Sequence, residues 1–204
     1  MKGIKLFSLI LGLVASSNSM AYGLGQSSYP LMIDSKAIST EFTGIVSTGG
    51  GVGLQARYTQ KLNSKTIVDA GLGISGGERS SRLFAGMDYE ILPDYGNQPK
   101  FTLKGSFESA KEFNTRLNII GLAPTISKGF SFWGQEAYPF LALPIGIGLE
   151  SESKTYSTRT QVSTGITGKL PIEGYRHLTG SLEANFNLSD SHSSVIIGLA
   201  YPLD

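Results

Sequence analysis

The sequence predicts an all-β fold, an antiparallel, up-and-down transmembrane β-barrel of about 8–10 strands that follows a cleaved signal peptide. Segments of about ten residues alternate apolar with polar side chains, as the strands of a two-faced sheet do. The composition agrees, since 26 glycines, 10% aromatic and 16% charged residues are typical of a β-rich chain with many turns. After residue 21 no apolar stretch approaches the roughly twenty residues of a transmembrane helix, so a membrane-integral chain would have to cross with strands.

Ten segments carry the strand pattern and are joined by short turns in hairpin order. They span residues 38–47, 52–59, 68–75, 82–91, 101–108, 117–123, 141–149, 158–169, 178–188 and 194–204. An even number places both termini at the same end, and losing or merging two weak segments would give eight. We prefer ten, with residues 38–47 as the weakest. Pro144 cannot donate to a ladder, so it predicts a bulge or an end of pairing.

The first 21 residues have the features of a secretory signal peptide. Lys2 and Lys5 precede an apolar run at residues 6–15, which at about ten residues is too short to span a bilayer. The stretch Ser19-Met20-Ala21 predicts cleavage after Ala21. The mature chain would then carry 15 basic and 16 acidic residues, which argues against nucleic acid as a partner. With 0 cysteines, neither lipid attachment nor a disulfide framework is expected.

Residues 22–37 contain Gly, Ser and Pro without any period. Because termini are usually loose unless something ties them down, we predict a flexible periplasmic leader, with entry into the lumen as the alternative. The predicted organisation is therefore a signal peptide at 1–21, an N-terminal leader at 22–37 and a β-barrel domain at 38–204.

The last segment alternates apolar side chains almost to the end of the sequence. One face carries Val195, Ile197, Leu199, Tyr201 and Leu203. The spacing Gly198-x-x-Tyr201-x-Leu203 resembles the ending that bacterial outer-membrane β-barrels present to the barrel assembly machinery. It departs from that ending because the sequence stops at Leu203-Asp204 and not at an aromatic residue.

In pattern and size the mature chain is similar to the OmpA/OmpX type of small bacterial outer-membrane barrel. The resemblance covers the pattern only and supplies no functional residues. It implies a bacterial outer-membrane location, contact with outer-membrane lipid, assembly by the barrel assembly machinery and a monomeric state. It also implies a non-enzymatic role in envelope integrity or surface interaction.

Aromatic residues cluster at positions 128–138. They are Phe130, Phe132, Trp133 and Tyr138. One interpretation is a girdle at the water–lipid interface, where a ring is apolar on one side and wet on the other. The other is ordinary hydrophobic anchoring of a loop.

The polar faces of the strands bring charges of both signs toward the predicted lumen. The predicted lumen polar network is Arg57, Asp69, Arg82, Asp88, Glu90, Lys104, Glu108, Arg116, Arg159, Lys169 and Glu183. A selective channel is expected to line its pore with one sign, whereas nearly balanced charges favour mutual pairing. Because small barrels are filled by their own side chains, we predict a plugged or narrow lumen without porin activity.

Catalysis would need a base, and the sequence has two histidines, His177 and His192. Some small outer-membrane barrels are lipid-modifying acyl hydrolases or transferases, but neither histidine reproduces the His-x-Ser-Asn signature of the lipid A deacylases. We therefore predict no catalytic residue. Two isolated histidines, no cysteine and scattered carboxylates also predict no metal site and no cofactor.

Three other functions fit parts of the pattern. They are a lipid-modifying acyl hydrolase or transferase, a narrow channel, and a soluble periplasmic lipocalin-like binding barrel. The soluble barrel would show the same alternation, because a core-facing and a lipid-facing apolar face look alike in sequence.

Overall fold

The computed structural model describes residues 23–47, 50–76, 79–112, 115–132 and 134–203, so the predicted signal peptide lies outside the described residues. The fold is all-β, with one short 3-10 helix at Gly25–Ser27. The strands are β1 Lys36–Ile45, β2 Gly51–Lys61, β3 Thr66–Ser75, β4 Arg79–Leu92, β5 Lys100–Glu112, β6 Thr115–Ser127, β7 Phe130–Phe132, β8 Gln135–Ala142, β9 Ile145–Glu150, β10 Tyr156–Lys169, β11 Thr179–Ser189 and β12 Ser194–Leu203. In the described part of the chain, no helix has the length and apolar character needed to cross a membrane.

The strands form a closed antiparallel barrel, which confirms the predicted fold class. Consecutive strands pair, apart from β6 with β7 and β8 with β9, and β12 returns to pair with β1 from Lys36 opposite Leu203 to Ile45 opposite Ser194. Closure leaves the wall without a free edge, so the backbone groups of the first and last strands satisfy each other.

Twelve strands make ten wall strands, as preferred from the sequence, because β8 and β9 form one wall strand and β7 extends β6. Both β8 and β9 pair with β6 on one side and with β10 on the other, so they are two halves of one wall strand. The break falls at Leu143 and Pro144, where the missing N–H of proline ends the ladder as predicted. The Pro144 carbonyl instead accepts the N–H of Gln161 at 3.0 Å.

The short strand β7 is not among the predicted segments. It continues the line of β6 past residues 128 and 129 and pairs with the first residues of β8. The strands β7 and β8 therefore form a hairpin. It lies in the stretch that the sequence analysis interpreted either as an aromatic girdle or as an anchored loop.

The two faces of the wall differ sharply in chemistry. Large apolar side chains are exposed on the outer face of the wall, where they include Phe42, Leu54, Leu72, Ile74, Leu83, Met87, Ile120, Leu122, Leu141, Ile147, Leu182, Phe186, Ile197 and Leu199. Buried apolar residues form only small clusters among the described residues, one of Leu24, Ala123, Phe140 and Ala142 and one of Leu117 and Ile119. Most of the buried interior is polar or charged.

The two ends of the barrel are distinguished by where β1 begins and β12 ends. Lys36 and Leu203 are paired, so the start of β1 and the end of β12 lie at one end, which we call the terminal end. The turns at residues 62–65, 93–99 and 170–178 lie there, and those at 151–155 and 190–193 lie at the other, distal end.

A polar clamp joins two turns at the terminal end. The Lys128 ammonium bonds to the Asp94 carboxylate and to the carbonyl of Gly96 at 2.6 Å, and the N–H of Gly129 donates to Asp94 at 2.7 Å. Burial acts to raise the pKa of Asp94, but the hydrogen bonds from Lys128 and Gly129 outweigh it and hold that pKa below its ordinary value.

Replacing Asp94 with alanine is expected to loosen this clamp at a cost of about 1 kcal/mol or less, because the ion pair is partly exposed. A lowered pKa means that the contribution is present above the ordinary carboxyl range and is lost as pH falls through the lowered value. In micelles, the Gly129 amide shift should therefore titrate below about pH 3.9 in the parent. That step should vanish in Asp94→Ala and persist in Glu173→Ala, an exposed acid in another turn. A midpoint at or above the ordinary range would contradict the clamp.

Candidate functional site

The N-terminal part of the described chain lies inside the barrel. Residues 23–28, which we call the lumen strap, are buried apart from a half-buried Gly25. The prediction of a flexible leader was therefore wrong for these residues, and the alternative of entry into the lumen is what the structure has. The physical reason is that the inner wall offers charged partners for the strap's backbone groups.

Three lumen cations bind three carbonyls of the strap. Arg57 Nη2 donates to the carbonyl of Gly23 at 2.8 Å, Lys104 Nζ to that of Leu24 at 2.9 Å, and Lys100 Nζ to that of Ser27 at 2.9 Å. In the opposite sense, the N–H of Leu24 donates to Glu183 Oε2 at 2.9 Å. Charged side chains therefore recognise the backbone of the strap, with cations on its carbonyls and a carboxylate on its N–H.

The side chains of the strap add further contacts. Leu24 packs against Ala123, Phe140 and Ala142, and Ser28 Oγ donates to Thr167 Oγ1 at 3.1 Å. At Gly25 the backbone has φ of 65°, and an added Cβ would lie 2.8 Å from the Arg57 guanidinium. Both observations require glycine at this position.

Arg57 is the centre of a buried ionic network. It donates to Glu41 from Nε at 2.7 Å and to Asp69 from Nη1 at 2.8 Å, and Lys104 also bonds to Asp69. Gln55 donates to Glu41 as well. All five side chains are buried in the lumen, where unpaired charges would cost several kcal/mol.

The network rests on an aromatic ring. The Arg57 guanidinium lies 4.8 Å from the centre of the Phe84 ring, a cation–π arrangement. That ring occupies the space beside Gly71, where an added Cβ would lie 2.4 Å from it. Because Gly71 on β3 has no side chain, it leaves room for the Phe84 ring of β4, and the Arg57 guanidinium lies over that ring.

The other predicted network residues differ in how deeply they are buried. Asp88, Glu108 and Arg159 are buried, and Arg82 and Glu90 are half-buried. The Arg82–Glu108 and Lys100–Glu90 ion pairs are both 3.9 Å long. Lys169 lies near the terminal end and donates to the carbonyl of His177 at 3.3 Å. These pairs are consistent with a lumen of mixed charge.

Arg116 does not join the lumen. It is exposed, because Leu117 and Ile119 point inward on β6 and their neighbour must therefore point outward. The alternation could not fix the phase of this strand, since residues 117–123 are apolar on both faces.

A second, mostly neutral polar cluster fills the distal half of the lumen. Ser191 donates to Gln161 at 2.9 Å, Gln161 to Ser163 at 3.4 Å, Ser163 bonds to Asn185, and Asn185 donates to Ser194 at 3.2 Å. The sequence interpretation passed over these residues because it searched the polar faces for charge. Their spacing of two along β10 and β11 was the available signal.

The two histidines lie in different surroundings. His192 and its neighbour Ser191 are fully buried at the distal end, so neither is open to a substrate from outside. His177 is exposed in the turn at 170–178, with its ring edge-on to Tyr201 at 5.8 Å. Among the described residues, no group of three or more His, Asp or Glu side chains is placed to hold a metal ion.

The predicted interface aromatics do not form one group. Phe130 is exposed, whereas Tyr138 points inward and its ring meets Tyr29 edge-on at 5.6 Å. Trp133 and the side chain of Phe132 lie outside the described residues. Exposed rings that the sequence interpretation did not assign to an interface lie near the terminal end of the wall, and these are Tyr58, Tyr89 and Tyr201.

The predicted C-terminal signal lies on the strand that closes the barrel. Gly198 is buried opposite Glu41, where an added Cβ would overlap the Ser181 hydroxyl and lie 3.2 Å from the Glu41 side chain. Tyr201 is exposed, and Leu203 is half-buried opposite Lys36. Close packing against Ser181 and Glu41 thus favours glycine here, and recognition of this ending by assembly machinery stays a prediction.

Comparison with known proteins finds no matching family model and no matching curated protein. Among solved structures, a designed transmembrane β-barrel is 12% identical, with 85% of this chain and 99% of that chain covered and a TM-score of 0.42. Ail, the attachment invasion locus protein of Yersinia pestis, is 11% identical in its complex with the heparin analogue sucrose octasulfate (84% and 100% covered, TM-score 0.31). Ail without the analogue is 10% identical, with the same coverage and a TM-score of 0.27. Similarities this low assign neither a family nor a function, and the OmpA/OmpX type stays an expectation.

Proposed function

We propose that the protein is an integral β-barrel of the bacterial outer membrane with a closed lumen and a structural or surface-interaction role in the envelope. The observation that carries the proposal is the reversed polarity of the barrel. Charged residues such as Arg57, Asp69 and Lys104 are buried inside, while large apolar side chains cover the outside. This is the arrangement of a barrel whose solvent is lipid.

A soluble barrel accounts poorly for the same surface. Each exposed Å² of apolar surface costs about 25 cal/mol in water, and soluble monomers rarely expose large contiguous apolar patches. Here neighbouring outward residues are apolar across several strands, as in the row of Ile197, Phe42, Leu54 and Ile74. A lipocalin-like protein would instead place such residues around a ligand cavity.

A closed lumen supports a structural role over transport. The lumen strap, the Arg57 network and the distal cluster occupy the interior, and the charges along it are mixed in sign. An ion-selective pore would be expected to have one dominant sign. The buried position of Ser191 and His192 also supports a non-enzymatic role.

The proposed partners follow from the same surfaces. Outer-membrane lipid would cover the apolar outer face, and the rings of Tyr58, Tyr89 and Tyr201 would lie at the interface near the terminal end. The ending at Gly198, Tyr201 and Leu203 would be presented to the barrel assembly machinery. Because the closed wall has no free strand edge, the barrel would work as a monomer.

The test is fractionation followed by electrophoresis with and without boiling. The protein should be found in detergent-solubilised outer membranes and should shift in mobility on boiling, because a closed barrel resists SDS until heated. Unboiled parent protein in planar lipid bilayers should give no stable conductance steps. Recovery in the periplasmic fraction without a mobility shift would overturn the membrane assignment.

A further inference from the structure

We infer that the lumen strap is a displaceable plug, and that the barrel conducts small ions once the strap leaves the lumen. The inference rests on the proposed membrane location and adds a latent channel activity to it. Three observations carry the inference. They are the space that the strap occupies, the partners that the wall cations keep when the strap is absent, and the anchoring of the chain beyond the strap.

The strap fills space that the wall leaves open. With strands spaced about 4.8 Å apart and tilted by about 40°, ten wall strands place the backbone roughly 10 Å from the barrel axis. Part of the inner wall projects little into the lumen, because the inward positions Ala142, Gly146 and Gly148 on the broken wall strand have a methyl group or no side chain. Eight-stranded barrels are filled by side chains alone, whereas here backbone also occupies the lumen.

The three cations that bind the strap keep ion-pair partners when it is absent, Lys100 through Glu90 at 3.9 Å, whereas Glu183 gives up the N–H of Leu24. Arg57 retains Glu41 and Asp69, and Lys104 retains Asp69. Departure of the strap would therefore expose backbone carbonyls and the Leu24 side chain to water without separating these ion pairs. Water can replace the lost hydrogen bonds, which keeps the difference between the two states small.

The strap also has a defined point of attachment from which it can swing. Beyond residue 28 the chain runs to the terminal end, where the N–H of Asp34 donates to the carbonyl of Lys61 at 2.9 Å and the N–H of Lys61 donates to that of Ser35 at 3.1 Å. These bonds anchor the chain to β2 independently of the lumen contacts. The exit of residues 23–28 is therefore toward the terminal end.

The experiment is a planar-bilayer recording of the full chain with Gly25→Val. The added side chain meets the Arg57 guanidinium at a backbone conformation that favours glycine, so it should expel the strap and give discrete conductance steps where the parent gives none. Gly96→Val is the matched control, since Gly96 has φ of 56° but open space around its Cβ position. Gly96→Val should be as silent as the parent.

A reversible lock tests the same motion by another route. The parent has 0 cysteines, and the Ser28 and Thr167 hydroxyls lie 3.1 Å apart. Ser28→Cys with Thr167→Cys, added to Gly25→Val and oxidised with copper phenanthroline, should abolish the steps, and a thiol reductant should restore them. The reductant should leave Gly25→Val alone unchanged.

The outcomes separate the inference from the proposed function. A parent without heat-dependent mobility overturns the membrane assignment. A heat-modifiable Gly25→Val that stays silent, or steps that the oxidised lock leaves unchanged, overturns the plug alone. If Gly25→Val does not fold, Leu24→Asn replaces it, because that change removes the contact with Ala123, Phe140 and Ala142 without a clash.

Discussion

Replacing Arg57 with leucine is expected to destabilise the folded barrel by about 3–5 kcal/mol, the range measured when one partner of a buried ion pair is removed. The substitution would leave Glu41 buried without its cation and would leave Lys104 alone with Asp69. It would also remove the hydrogen bond to the Gly23 carbonyl and the contact with the Phe84 ring.

The measurement is a urea titration of the barrel folded in lipid vesicles, with the unboiled mobility as readout. Arg116→Leu is the control, because Arg116 is an exposed arginine on the outer side of β6. It should cost less than about 0.5 kcal/mol. Equal losses for the two variants would contradict the central role of Arg57.

A paired substitution separates lost charge from lost packing. Arg57→Met together with Glu41→Gln removes one charge of each sign and leaves Asp69 paired with Lys104. Because replacing a whole buried ion pair is often nearly neutral, this double variant should recover most of the stability that Arg57→Leu loses. Failure of the double variant to exceed Arg57→Leu would mean that the contacts with Phe84 and the strap dominate.

The strand order and the facing of the residues could be predicted from the sequence because alternation is a local signal. It marks Ile197 and Leu199 as one face and Gly198 as the other without knowledge of the partner strand. The break at Pro144 was predictable for the same reason, since the missing donor belongs to the residue itself. Where both faces are apolar, as around Ile119 and Ile120, the signal vanishes and Arg116 was placed on the wrong side.

Entry of the strap into the lumen could be offered only as an alternative, because its recognition is not encoded in its own pattern. Arg57, Lys104 and Glu183 bind its backbone, and backbone groups are the same in every sequence. Which charges meet depends on the stagger between β2, β5 and β11 around the closed wall. Only the two glycines at positions 23 and 25 gave a local sign of close packing.

Replacing Ile197 with arginine is expected to cost about 2–4 kcal/mol in lipid, because the charge would lie on the outer face near the bilayer midplane. Ile197 is exposed in the first half of β12 and lies in register with Phe42, which in turn faces Leu54. In a soluble barrel the same exposed position would face water, and the change would stay within about 0.5 kcal/mol.

A position farther from the bilayer midplane supplies the control for the Ile197 substitution. Tyr156 is also exposed on the outer surface but is the first residue of β10, at the distal end. Tyr156→Arg should therefore cost about 0–1 kcal/mol, since the penalty falls toward the interface. Urea titrations in vesicles of both variants give the difference directly. A large loss of stability at Ile197 with a small loss at Tyr156 is the result expected for a hydrocarbon layer around the middle of the wall. Equal small losses would mean that water surrounds the middle of the wall and would contradict the membrane assignment.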